Sequence, residues 1–185
     1  MINISVDKNL EAVARSLLDE KDLKWAATRA VGRALTSARA AVAKKVRAEY
    51  TVKSADVKMG IRSKRPVFTD GAVRGAVLGE GNRLRLDKFK VYRNSRSPMS
   101  VKVKKNQRAK KVKGLFFGNT TKGESAPFLR TTEKRKPINI LYGPNLPEMM
   151  ENKDVLEFMA SIAQDTLNNR FEHEINFRLS KKGMT

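Results

Sequence analysis

The sequence predicts an α+β fold: a long N-terminal helix, an antiparallel sheet of about five strands with a protruding basic arm, and a C-terminal helix packed on the sheet. Three observations carry this. Apolar residues recur at three- and four-residue spacing from Leu23 to Tyr50, and every four residues from Val155 to Leu179, as on amphipathic helices. Between them, after Pro66, the period drops toward two, as in half-buried strands. The 185 residues suit one domain over 1–185, at ~150 residues per domain.

The elements follow in order. An opening amphipathic helix from about Asp7 to Leu18 carries Leu10, Val13, Ala14, Leu17 and Leu18 on one face, making residues 1–22 an N-terminal helical arm. Asp22 is the expected N-cap of the long helix, whose interior to Tyr50 lacks Pro and has only Gly32. Its stripe of Ala27, Val31, Ala34, Leu35, Ala38, Val42 and Val46 is rich in alanine. Small residues permit close approach, either by this domain's own sheet or by another subunit.

Thr51 to Ile61 reads as a short helix entered from a turn, with Val52, Val57 and Ile61 inward. Strand patterns then cover Ala72 to Gly79, the Arg83-Leu84-Arg85-Leu86 alternation, and Val101 and Val103 alternating with Lys102 and Lys104. The polar basic stretches Tyr92 to Pro98 and Lys105 to Lys113 read as loops or a long hairpin arm. Gly114 to Gly118, Pro127 to Thr132 and Pro137 to Tyr142 complete the strands. After Gly143-Pro144-Asn145-Leu146-Pro147 a last helix starts near Pro147, with Glu148 favourable at its dipole, and runs to about Leu179.

Charge sharpens the picture. Lys and Arg total 39 against 19 acids, a net +20, well above the ~2 to 8 comfortable for a small domain. The excess is local: residues 83–113 hold 13 cations against the single acid Asp87, while 143–178 hold seven acids against three cations. The cations of this basic arm, Arg83, Arg85, Lys88, Lys90, Arg93, Arg96, Lys102, Lys104, Lys105, Arg108, Lys110, Lys111 and Lys113, are the candidate contact residues. They meet nucleic acid or the acidic face of a neighbouring subunit.

Several chemistries are disfavoured. There is no cysteine, hence no disulfide scaffold, thiolate metal site or Cys nucleophile, and one histidine makes a His-based zinc site or a Ser-His-acid triad improbable. His173 sits between Glu172 and Glu174, but successive helical residues point ~100° apart, so the three cannot converge on one ion. The glycines of TDGAVRG and LGEGN spell no phosphate loop, and Asp70 and Asp87 lack closely spaced carboxylate partners. The Asn119-Thr120-Thr121 sequon is a chance match in a chain that lacks the pattern of a signal peptide and any long apolar run. The expectation is a non-enzyme without cofactor or metal, made in a cytoplasm and not bound to a membrane. Phe89, Tyr92, Phe116 and Phe117 near the basic segment could stack on bases, although no zinc finger, RRM signature or helix-turn-helix is present.

The order of pieces resembles the minor tail protein Z (tail completion) family of lambda-like long-tailed phages and prophages. The resemblance rests on the basic Ala-rich helix ending in Tyr50-Thr51-Val52, then Leu86-Asp87-Lys88-Phe89, Ser100-Val101-Lys102-Val103-Lys104, Lys113-Gly114-Leu115-Phe116-Phe117 and Phe128-Leu129-Arg130. It closes with Arg135-Lys136-Pro137-Ile138 and Gly143-Pro144-Asn145-Leu146-Pro147-Glu148-Met149. The chain departs from the family in Pro127 and in the charged stretch around Lys105 to Lys111. The resemblance implies a structural virion protein at the head-proximal end of the tail, forming a homo-oligomeric ring, commonly of six, around the DNA path. Its implied partners are tail-tube or terminator subunits, the head-closure ring and, without sequence preference, double-stranded DNA. The alternative is a free, sequence-nonspecific nucleic-acid-binding protein.

Overall fold

The expected long helix is present: α2, Glu20–Glu49, follows a short α1, Lys8–Leu17. The computed structural model describes residues 8–69, 72–93 and 98–183. After α2 come α3 (Ser54–Gly60) and the hairpin of β1 (Ile61–Thr69) and β2 (Ala72–Gly79). Then follow a 3-10 turn at Leu86–Lys88, β3 (Lys90–Tyr92), β4 (Ser100–Lys102) and β5 (Lys110–Lys111). Strands β6 (Leu115–Asn119), β7 (Ser125–Arg130) and β8 (Ile138–Ile140) precede α4 (Leu146–Met150) and α5 (Lys153–Lys181).

The fold is therefore α+β, with every strand pairing antiparallel. The strands, expected as one sheet of about five, fall into three sheets in the described residues: β1-β2, β3-β4-β5 and β6-β7-β8. Strand β1 lay outside the expected pattern, its faces being largely exposed and basic. Its register with β2 shifts between Lys64 and Val67, where Pro66 has no N–H to give the ladder. The Arg83 to Leu86 alternation is not a strand. Leu86 N–H donates to Leu141 O and Gly143 N–H to Leu84 O, and the chain turns into the 3-10 helix.

The chain divides into two compact units. One holds the chain up to Val42, Ile61–Gly79 and the chain from Glu151; the other holds Ala43–Gly60 and Glu80–Met150.

In the first unit α2 meets α5 on a line that departs from the expected stripe at its start, with Ala26 and Ala30 buried and Ala27 and Val31 half-buried beside them. Ala26, Ala30 and Ala34 share a buried cluster with Leu167, Phe171 and Ile175, and with Ala14 and Leu18 of the N-terminal stretch. The small side chains let the helices approach, and the large ones fill the space between. The hairpin also approaches α2, since a Cβ added at Gly75 would stand 2.6 Å from Leu35 Cδ1. Leu17, expected inward, is 45% exposed, because α1 ends there and Ala14 and Leu18 carry the inward line. Leu10 and Val13 lie outside the described side chains.

The N-cap of α2 is Asp19 rather than Asp22: its Oδ1 accepts the Asp22 N–H at 2.9 Å. Asp22 instead binds Arg178 at 3.1 Å and Lys182 at 2.8 Å. The four-residue repeat on α5 is observed, with Val155, Ala163, Leu167, Phe171 and Ile175 buried. The last helix nevertheless does not begin at Pro147. Asn145 and Glu148 form a capping box for α4, Glu148 N–H to Asn145 Oδ1 at 2.8 Å and Asn145 N–H to Glu148 Oε2 at 3.2 Å. Asn152 then caps α5, accepting from Asp154 N–H at 3.1 Å. Two caps seven residues apart split the apolar run into two helices.

The second unit buries Val46, Tyr50, Val52, Val57, Leu86, Phe89, Val101, Leu115, Phe128, Leu146, Met149 and Met150. Helix α3 matches the short helix expected after Thr51, with Val52 and Val57 inward. Gly143 is required by close approach: a Cβ there would stand 2.5 Å from Phe89 Cε2.

Candidate functional site

The basic segment 83–113 lies wholly in the second unit and is folded for most of its length. Of the expected loops or hairpin arm, residues 94–97 lie outside the described residues; on either side of them β3 and β4 pair antiparallel, Lys90 with Lys102, Val91 with Val101 and Tyr92 with Ser100. Strand β5 adds Lys110 opposite Val101 and Lys111 opposite Ser100. Directly opposed residues in an antiparallel pair share a face. Lys90, Lys102, Lys111 and Tyr92 therefore occupy one side, while Val91 and the buried Val101 turn to the other.

The end of α2 anchors this sheet. Thr51 N–H donates to Val103 O at 2.9 Å, Lys105 N–H donates to Glu49 O at 2.6 Å, and Tyr50 forms an isolated bridge with Lys104. The Thr51 hydroxyl donates to Lys102 O and accepts from Lys90 N–H at 3.1 Å.

The candidate cations separate into two groups. Those at the root are neutralised within the unit. Arg85 bonds Asp87 at 3.2 Å and Glu124 at 3.0 Å, Lys88 bonds Asp56 at 3.1 Å, and Arg83 bonds Glu148 at 3.4 Å. Hydrogen bonding to Glu124, and then the charge and hydrogen bond of Asp87, hold the Arg85 guanidinium above its ordinary pKa. These three candidate contact residues each have a carboxylate partner within the unit. Asp56, Glu124 and Glu148 are the partners that sequence reading missed; local spacing gives no signal for pairs 32 to 65 positions apart.

The remainder has no carboxylate partner among the described residues: Lys90, Arg93, Lys102, Lys104, Lys105, Arg108, Lys110, Lys111 and Lys113. Three lie over rings, Arg93 at 3.7 Å from the Phe117 centroid, Lys90 at 5.2 Å from Tyr92 and Lys104 at 5.7 Å from Tyr50. Arg96 lies outside the described residues, as does Asp70. Lys90 directly opposite Lys102 is a like-charge pair that costs stability unless an anion sits above it. The surface can thus attract a polyanion through several fixed ammonium and guanidinium groups.

The acidic segment is also partly internal. Glu148 binds Arg83, and the buried Glu174 receives Arg29 Nε at 3.2 Å, whereas Glu151, Asp154, Asp165 and Glu172 are exposed. Glu174 turned inward separates it from the exposed Glu172 and His173, as their helical spacing requires. Among the described residues no cluster of three or more His, Asp or Glu is placed to hold a metal ion, and no helix is long and apolar enough to cross a membrane.

The chain matches no family model, no curated protein and no solved structure.

Proposed function

We propose that the protein is a structural, non-enzymatic tail completion protein at the head-proximal end of a long-tailed phage tail, forming a ring that joins tail to head and surrounds the DNA path. One observation carries the reading most: nine cations without carboxylate partners among the described residues lie along the segment 90–113, and four of them, Lys90, Lys102, Lys110 and Lys111, stand on a small sheet tied to the end of α2. A fixed basic surface of this kind calls for an anionic neighbour, and the duplex in the lumen or an acidic subunit face supplies one. The order of sequence motifs, which resembles that of the tail completion family, supports the same reading.

The test mixes the purified chain with tail-tube or terminator subunits and images the assemblies, with duplex binding measured in parallel. Rings on the tail end and weak duplex binding at physiological salt are expected. Tight sub-micromolar duplex binding by a monomer that ignores tail subunits would favour the free nucleic-acid-binding protein and sink the structural reading. Replacing Lys102, Lys104, Lys110 and Lys111 together by Gln separates the two uses of the surface. If they face DNA, assembly persists and the slope of log K against log salt falls by about 0.9 for each phosphate that is no longer neutralised. If they clasp a neighbouring subunit, assembly fails.

A further inference from the structure

The first unit holds a second basic feature, on helices that the segment 83–113 does not include. Between α2 and α5 lies a groove of about 600 Å³ lined by Arg33, Thr36 and Ser37 from one helix and Thr166, Asn169, Arg170 and His173 from the other. That volume lies within the range of small-ligand clefts. No carboxylate lines it. On the same two helices Arg29 pairs with Glu174 and Arg178 with Asp22, but Arg33 and Arg170 have no acidic partner among the described residues. Two guanidiniums on one groove repel each other until an anion sits between them.

The hydroxyls narrow the donor set. Thr36 Oγ1 donates to Gly32 O at 3.0 Å and Thr166 Oγ1 to Ile162 O at 2.7 Å, so both protons stay within their helices. Arg33, Arg170, Ser37, Asn169 and the His173 imidazole remain to face a ligand. Guanidinium forks from two helices match an oxyanion offering several oxygens and about two negative charges. A carboxylate offers one charge and two oxygens.

We infer that the groove between α2 and α5 binds the phosphate monoester of a small polar ligand, gripped by Arg33 and Arg170. A free phosphate presents the same dianion, whereas a nucleoside monophosphate adds a polar body that the rest of the groove can hold. His173 is the only histidine of the chain, so its imidazole resonance reports the site without ambiguity.

The experiment titrates the full chain with inorganic phosphate, with a nucleoside monophosphate and with a short DNA duplex, following His173 by NMR. Saturable shifts with both small probes, tighter for the monophosphate, are expected; equal affinity for the two assigns the site to free phosphate. Arg33→Gln and Arg170→Gln should each weaken binding by about tenfold, the effect of removing one charge-assisted hydrogen-bonding group. Arg65→Gln, an exposed change on β1, should leave it unchanged, and all three variants should melt like the parent. The inference is overturned if neither small probe shifts His173 saturably, if only the duplex does, or if Arg65→Gln weakens binding as much as the groove variants. Tail assembly is not read in this experiment, so its outcome is independent of the proposed tail role.

Discussion

The Thr51 hydroxyl accepts the backbone N–H of Lys90 at 3.1 Å. The same oxygen donates to the Lys102 carbonyl, so one side chain just past α2 joins β3 and β4 at the Lys90–Lys102 pair. Two lysines stand directly opposite each other there, and the hydroxyl helps hold their strands together. Thr51→Val keeps the shape and removes the bonds, leaving a donor and an acceptor without this partner. A loss of about 1–3 kcal/mol is expected. Thr51→Ser should recover most of it. Urea unfolding of the three proteins checks this, and equal midpoints for Val and Thr would refute the anchoring role.

Phe171 shares one buried cluster with Ala30 and Ala34 of the facing helix and is 2% exposed. Phe171→Ala removes the largest side chain of that cluster and should cost about 3–5 kcal/mol. Leu17→Ala changes a residue that is 45% exposed and should stay within about 0.5 kcal/mol. Denaturant midpoints of the pair distinguish a packed helical layer from a loose one. Similar losses in both would contradict the packing described.

Periodicity made the helices legible, because the buried apolar positions of α5 repeat every four residues from Ala163 to Ile175. The partner of the alanine stripe was not legible, since small residues permit any close neighbour and only Leu167 and Phe171 across the contact decide which. The break before α5 was written locally, in Asn145, Glu148 and Asn152, yet the uninterrupted apolar pattern masked it. The basic segment was visible as charge. Its division into a paired root and an unpaired surface was not, because Arg85 finds Glu124 and Lys88 finds Asp56 only in the folded chain. Arg33 and Arg170, 137 positions apart, carried no joint signal at all.

Gly143 lies where a Cβ would meet Phe89 at 2.5 Å and 2.9 Å, both on the ring. The ring is buried, with little room to move. Gly143→Ala should therefore destabilise by about 1–3 kcal/mol through overpacking. Shortening the obstacle should restore part of it, so Gly143→Ala with Phe89→Leu should be more stable than the sum of the single changes implies. A double-mutant cycle by thermal unfolding measures that coupling, and strict additivity would show that the two residues do not touch.

Asp19 and Lys182 couple the start of α2 to the end of α5 through a 2.9 Å ion pair, and their titrations set opposite limits on it. The Asp22 N–H, and then Lys182, hold the Asp19 carboxyl below its ordinary value of 3.8. Its contribution is present above that value and is lost as pH falls through the lowered one, because protonation removes the acceptor charge. Hydrogen bonds to Asp22, and then to Asp19, raise Lys182 above 10.5. Its contribution is present below that value and is lost as pH rises through the raised one. The pair thus supports the fold across the neutral range and fails at both extremes. Asp19→Asn keeps a capping oxygen but not the charge. It should flatten the acid limb of the melting temperature against pH and lower the pKa of Lys182, while Asp22 still holds that ammonium at 2.8 Å. Melting curves from acid to alkaline pH, with NMR titration of the Lys182 side chain, check both effects. An unchanged acid limb would mean that the Asp19 carboxylate contributes nothing through its charge.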